Sequence, residues 1–162
     1  MSLVELPFGL PGAIYRSAMP LGSFDPGGGL IAAYRAAGIA TIVMLLPDEE
    51  CLRRDNVDLR ARYAREGFAV LYFPIVNYSV PYSIEATREL IGEIVDRAGR
   101  GERIAVHCYG GWGRTGIVLA LLARAVCGYS GDQAIEWVRR SVPGAVETDE
   151  QESFVREFTF TE

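Results

Sequence analysis

Three short apolar segments rich in β-branched residues dominate the chain: TIVMLL at 41–46, VLYF at 70–73 and RIAVH at 103–107. A weaker one, AIYRS, lies at 13–17, and helical patterns separate them: LIAAYRAAG, a charged stretch from Leu52 to Glu66, and IEATRELIGEIVDRA. Strand-sized and helix-sized apolar periods that alternate in this way build a mostly parallel sheet with helices on both faces. The expectation is therefore a three-layer α/β domain with a four- to five-stranded sheet, forming one domain over residues 1–162. No internal repeat, low-complexity segment or linker interrupts the pattern, and DPGGG at 25–29 reads as a turn ahead of a helix, because no strand leads into it.

The strand RIAVH runs directly into CYGGWGRTG. A helix is expected from about Arg114 to Val126, so the segment between strand and helix is a short loop that starts at Cys108 and holds Gly110, Gly111 and Gly113. Helix N-termini leave backbone N–H groups unpaired and carry partial positive charge. The glycines allow successive N–H groups to turn inward as a nest for a tetrahedral oxyanion. Arg114 adds a planar fork suited to two phosphate oxygens. The same field favours the anionic form of the Cys108 sulfur, and only a thiolate attacks. The five residues between Cys108 and Arg114 close one loop around one phosphate, with Thr115 placing a hydroxyl beside the sulfur. Two further helices are expected, one from the capping-box pattern SGDQ at Ser130 and one from TDEQ at Thr148. Trp137, Val138, Phe154 and Phe158 read as packing residues on them.

Composition removes several classes of function. The formal net charge is −5, which argues against a nucleic-acid partner held on a broad basic face. All 16 basic residues are arginine, so Arg114 is singled out by position and not by type. Cys51, Cys108 and Cys127 are odd in number and widely spaced, and with the single His107 they make neither a disulfide framework nor a metal-ligand cluster. The longest apolar stretch, IVLALLARAVC, is broken by Arg124 and falls short of a membrane span. The N-terminus lacks the basic start and long apolar core of a secretory signal, so a cytoplasmic location is expected. His107 is adjacent to Cys108 on a strand, where neighbouring side chains point to opposite faces. It reads as a support that hydrogen-bonds loop backbone, with simple packing as the alternative, and not as a base for the sulfur.

HCYGGWGRTG is similar to the HC-x5-R-[ST]-G signature of cysteine-dependent protein phosphatases. With AIYRS, FPIVNYSVP and AVETDEQESFVREF, the chain resembles the kinase-associated phosphatase branch of the dual-specificity group from about Ala13 to Phe158. The resemblance implies a metal-independent phosphomonoesterase with no cofactor, acting on phosphotyrosine or phosphoserine/threonine proteins through a phosphocysteine. It implies that Cys108 attacks phosphorus, that Arg114 binds the phosphoryl oxygens, and that Thr115 assists the sulfur as leaving group. Main-chain groups of Tyr109, Gly110, Gly111, Trp112, Gly113 and Arg114 would hold the phosphate.

The resemblance fails at one position. Family members carry a general-acid aspartate in a stretch like PI-x-D-x-x-x-P, and here PIVNYSVP puts Asn77 there. An amide does not hand a proton to a departing alkoxide, and loss of a general acid costs about a hundred- to ten-thousand-fold in rate. Asp48, in the PDEE that follows TIVMLL, is the preferred substitute, with a solvated loop charge as the alternative. Otherwise the enzyme is slow, or the chain is a phosphate-binding module with little turnover. Gln151 could place the hydrolytic water, or serve its capping box. Tyr78, Tyr82, Tyr109 and Trp112 could line the mouth, and Cys51 could form a protective disulfide with Cys108. A rhodanese-like sulfurtransferase also uses a cysteine loop, but the HC…RTG frame disfavours it. Expected partners are a phosphorylated protein or small phosphomonoester and vanadate-type oxyanions, with neither nucleic acid nor membrane.

Overall fold

The computed structural model describes residues 2–162. In chain order these form β1 (Val4–Leu6), β2 (Ala13–Ser17), α1 (Leu30–Ala36), β3 (Thr41–Met44), α2 (Asp48–Asp55), α3 (Leu59–Glu66), β4 (Ala69–Tyr72), α4 (Ile84–Gly99), β5 (Arg103–His107), α5 (Gly113–Cys127), α6 (Gly131–Ser141) and α7 (Asp149–Glu157). The strands make one sheet in the order β1-β2-β5-β3-β4. β2, β5, β3 and β4 are parallel, and β1 pairs antiparallel with β2. This is the expected three-layer, mostly parallel α/β architecture, with the antiparallel edge strand added.

Two apolar layers cover the sheet, as a parallel sheet requires. Val43, Ile104 and Val106 face a core that includes Ile91 of α4, Ile117 to Ala123 of α5, Val138 of α6 and Val155 of α7. Ile42, Met44 and Ala105 face the other way, against Tyr34 of α1, Cys51 of α2 and Tyr63 of α3. Helix α5 is buried without a break from Gly113 to Ala123 and is surrounded by α4, α6 and α7. A helix that is apolar on all sides belongs in the middle of a helical layer.

The charged stretch from Leu52 to Glu66 departs from expectation. It is part of two helices, because Asn56 takes a left-handed conformation (φ 54°) that ends α2, and Asp58 caps α3 by accepting from the Ala61 N–H. Asparagine tolerates that conformation better than most residues. The first of these helices starts at Asp48, so PDEE is a helix start. The capping boxes at Ser130 and Thr148 form as expected.

Candidate active site

β5 lies at the centre of the sheet, with the ends of β2 and β3 beside it: Ser17 and Met44 both pair with His107. Cys108 therefore leaves the sheet at the carboxyl edge, where open α/β sheets gather their ligands. Its side chain is 3% exposed. The Gly111 N–H donates to Cys108 Sγ at 3.3 Å, which is the inward-turned amide that the glycine loop was expected to provide. Gly111 has φ 87°, and a Cβ there would overlap the Arg16 side chain and the Ser17 carbonyl. Only glycine fits.

Arg16 explains why the loop keeps this shape. Its Nε donates to the Gly111 carbonyl (3.2 Å), and its Nη2 donates to the carbonyls of Gly110 (3.1 Å) and Gly111 (2.7 Å). With these oxygens drawn outward, the Gly111 N–H faces the sulfur. Arg16 is buried, and among the described residues it has no carboxylate partner. Burial lowers its pKa, and the charge of Cys108 works in the opposite direction.

Arg114 is 2% exposed and gripped on one side. Its Nη1 donates to Glu50 Oε1 (2.9 Å) and to the Ile75 carbonyl (3.0 Å), while Nη2 donates to Glu50 Oε2 (2.9 Å). A guanidinium has five N–H donors, so three are engaged here. The remaining two, on Nε and Nη2, share one edge and form a fork of the kind that takes two oxygens of a phosphate. Burial opposes the charge of Arg114, but the Glu50 carboxylate and Cys108 outweigh it and hold the pKa above its usual value.

His107 does not serve the sulfur. Its Nδ1 donates to the Cys108 carbonyl (2.9 Å), so Nε2 accepts from the Tyr63 hydroxyl (2.7 Å). Burial and the nearby Arg114 charge push its pKa down to about 4, which keeps the ring neutral in this tautomer. The Thr115 hydroxyl is fully buried and has no hydrogen-bond partner, so its expected contact with the sulfur is not made here. Gln151 is also fully buried. Its Oε1 accepts from the Glu147 N–H (2.9 Å) and the Thr148 N–H (3.2 Å), and its Nε2 donates to the Ser79 carbonyl (3.0 Å), so it braces two loops together.

The cysteine loop opens into a cleft of about 380 Å³ lined by Ser23, Phe24, Arg54, Asn77, Tyr78, Tyr109, Gly110, Trp112 and Glu147. The structure thus brings Asn77, Tyr78, Tyr109 and Trp112 to one mouth. Tyr82 lies elsewhere, stacked on Phe73. Asp48 is not brought to the cleft. It opens α2, and its carboxylate accepts from Arg60 Nε at 2.9 and 3.0 Å. The expectation that it replaces the acid fails, because the helix turns it toward α3. Cys51 packs in the core layer on the other side of the sheet from Cys108. Burial, with Asp48 and Glu50 adding to it, pushes its thiol up to about 12, which opposes the thiolate a protective disulfide would need.

Sequence reasoning missed Arg16, Glu50, Arg54, Tyr63 and Glu147. The first two carried faint signals: a lone arginine inside an apolar strand, and three consecutive acids of which a helix must bury some. No local pattern marks the others.

No described helix is long and apolar enough to cross a membrane, and no described group of His, Cys, Asp and Glu is arranged to hold a metal. A family model described as a Swiss Army Knife protein, DSP-PTPase phosphatase domain, matches residues 28–155. An uncharacterized protein of Methanocaldococcus jannaschii is 41% identical over 90 residues, which are 54% of this chain and 58% of that protein. The chain thus spans little more than half of this relative. The active form of Tk-PTP superposes with a TM-score of 0.77 at 31% identity, covering 91% of each chain. Kinase associated phosphatase superposes with a TM-score of 0.85 over 98% of this chain and 93% of its own, and at 22% identity this is a likeness of fold. Fold, relatives and family model agree, and the chain belongs to the DSP-PTPase family of dual-specificity and tyrosine phosphatase domains.

Proposed function

We propose that the protein is a phosphomonoesterase in which Cys108 attacks phosphorus and forms a phosphocysteine that water then hydrolyses. One observation carries this reading: Cys108 Sγ sits in a loop whose amide donates to it, beside a guanidinium held by Glu50 with one edge left open. A phosphoryl group on that edge would have two oxygens on Nε and Nη2 and the others on the loop amides of Tyr109 to Arg114. Fixed dipoles and a fixed charge, aimed where negative charge develops, supply most of the stabilisation such a reaction needs. The chemistry assigned to the chain's own residues thus requires no metal. Thr115, with its unpartnered hydroxyl, is free to turn toward the sulfur as it departs. His107 and Arg16 hold the loop, and Gln151 holds the cleft walls. Tyr109, Trp112 and Phe24 offer aromatic faces suited to an aryl phosphate such as phosphotyrosine, and phosphorylated proteins are the proposed substrates.

Asn77 favours a second reading, a phosphate-recognition module with little turnover, because its amide has no acidic proton to give. Steady-state kinetics with an aryl phosphate separates the two. The enzyme reading expects vanadate-sensitive turnover abolished by Cys108→Ser. The module reading expects vanadate binding with no turnover.

A further inference from the structure

We infer that Glu147 is the proton donor and acceptor of this site, in place of the aspartate that Asn77 replaces. The inference rests on the phosphatase reading above and names the group that reading lacks.

Among the described residues that line the cleft, Glu147 is the one carboxyl group. Asp55 Oδ2 is buried without a hydrogen-bond partner, but it lies against Gly22 and Asp55 does not line the cleft, and three other acids nearby are committed. Both oxygens of Glu50 hold Arg114, those of Asp48 hold Arg60, and those of Asp25 accept from the backbone N–H groups of Leu21, Gly29 and Leu30. The Glu147 carboxylate makes no hydrogen bond or ion pair with any described residue.

Its position is built by the chain around it. A Cβ on Gly113, the first residue of α5, would meet Glu147 Oε1 at 2.5 Å, so the carboxylate lies directly over the start of that helix. A Cβ on Gly116 would meet the Val146 nitrogen at 2.5 Å. Two glycines one turn apart therefore let the segment 145–147 lie against the helix. Val146 adopts φ 60°, which is costly for a β-branched residue, and its N–H donates to the Trp112 carbonyl at 3.1 Å. Backbone strain of this kind persists where the surroundings over-determine it. Gln151 completes the seat by accepting from the Glu147 N–H and donating to the Ser79 carbonyl, which ties this segment to the loop that carries Asn77.

In the first step an S–P bond forms, and the P–O bond to the leaving group breaks with its electron pair on the departing oxygen. Protonated Glu147 gives its proton to that oxygen and becomes a carboxylate. In the second step the carboxylate takes a proton from water as the water oxygen attacks phosphorus. The S–P bond breaks with its pair returning to Cys108, and inorganic phosphate leaves.

The test compares kcat/KM for phenyl phosphate, a poor leaving group, and 2,4-dinitrophenyl phosphate, a good one, in the wild type and Glu147→Gln. This constant reports the steps up to cleavage of the P–O bond. The variant should lose about a hundredfold or more on phenyl phosphate relative to its loss on the dinitrophenyl ester, because only the poor leaving group needs the proton. Glu147→Asp should recover part of the loss. Equal losses on both esters, or none, overturn the role of Glu147 while leaving the phosphatase reading intact. Absence of Cys108-dependent turnover in the wild type overturns both. Unchanged vanadate affinity in Glu147→Gln would show that the site itself is assembled.

Discussion

Arg114 and Glu50 are both almost completely buried and pair with each other, with Arg54 adding a longer contact to Glu50 at 3.4 Å. Removing one partner of a buried ion pair strands the other and costs about 3–5 kcal/mol. Glu50→Gln should therefore lower the denaturant midpoint by an amount corresponding to about that loss, with a parallel loss of oxyanion affinity as the fork swings free. His107 gives a second handle on the loop, and as the only histidine its titration is separable. Its folded pKa is about 4, below the ordinary value near 6.5, so the unfolded chain binds the extra proton first as pH falls. Stability from the neutral ring is then fully present above about pH 6.5 and is lost as pH falls toward 4, on the order of 3 kcal/mol over the whole window. Unfolding free energy measured between pH 7 and 5, above most carboxylate titration, should decline in the native protein and flatten in His107→Asn. Cys108, Arg114 and His107 were legible in sequence because they lie within a few residues of one another. Glu50 and Arg16 were not, since their contacts join positions 64 and 95 residues apart.

The element on which the proposed proton transfer depends is the start of α5 with the segment 145–147 laid against it. Replacing Gly116 with alanine would ordinarily favour a helix by up to about 1 kcal/mol. Here the new Cβ would overlap the backbone nitrogen of Val146, which cannot rotate aside as a side chain can. Overpacking costs about 1–3 kcal/mol and outweighs the gain in propensity. Gly116→Ala should be destabilised in thermal unfolding, and the displaced segment should give it the same leaving-group sensitivity as Glu147→Gln. Helix starts were readable where a side chain closes its own cap, as at Ser130 and Thr148. The break at Asn56 was not, because one asparagine within a run of charges is compatible with a continuous helix. Asp48 was misjudged for a related reason: the direction in which it points depends on where α2 begins, and Arg60 from α3 takes it.

At the scale of the whole molecule, the parallel sheet and its two helical layers followed from the alternation of strand and helix periods. β1 did not, since three residues at an edge carry too little pattern. The fold places the ends of β2, β3 and β5 side by side, so the anchor Arg16, the acid Glu50 and the cysteine loop converge although the sequence scatters them. That convergence underlies the central claim, that Cys108 becomes covalently phosphorylated during turnover. Rapid acid quench of the protein with an activated aryl phosphate, followed by mass spectrometry of the peptide containing Cys108, measures this directly. The account predicts one added phosphoryl group on that cysteine, formed faster than turnover and absent in Cys108→Ser. Turnover that proceeds with the peptide unmodified at every quench time, and survives in Cys108→Ser, would contradict it.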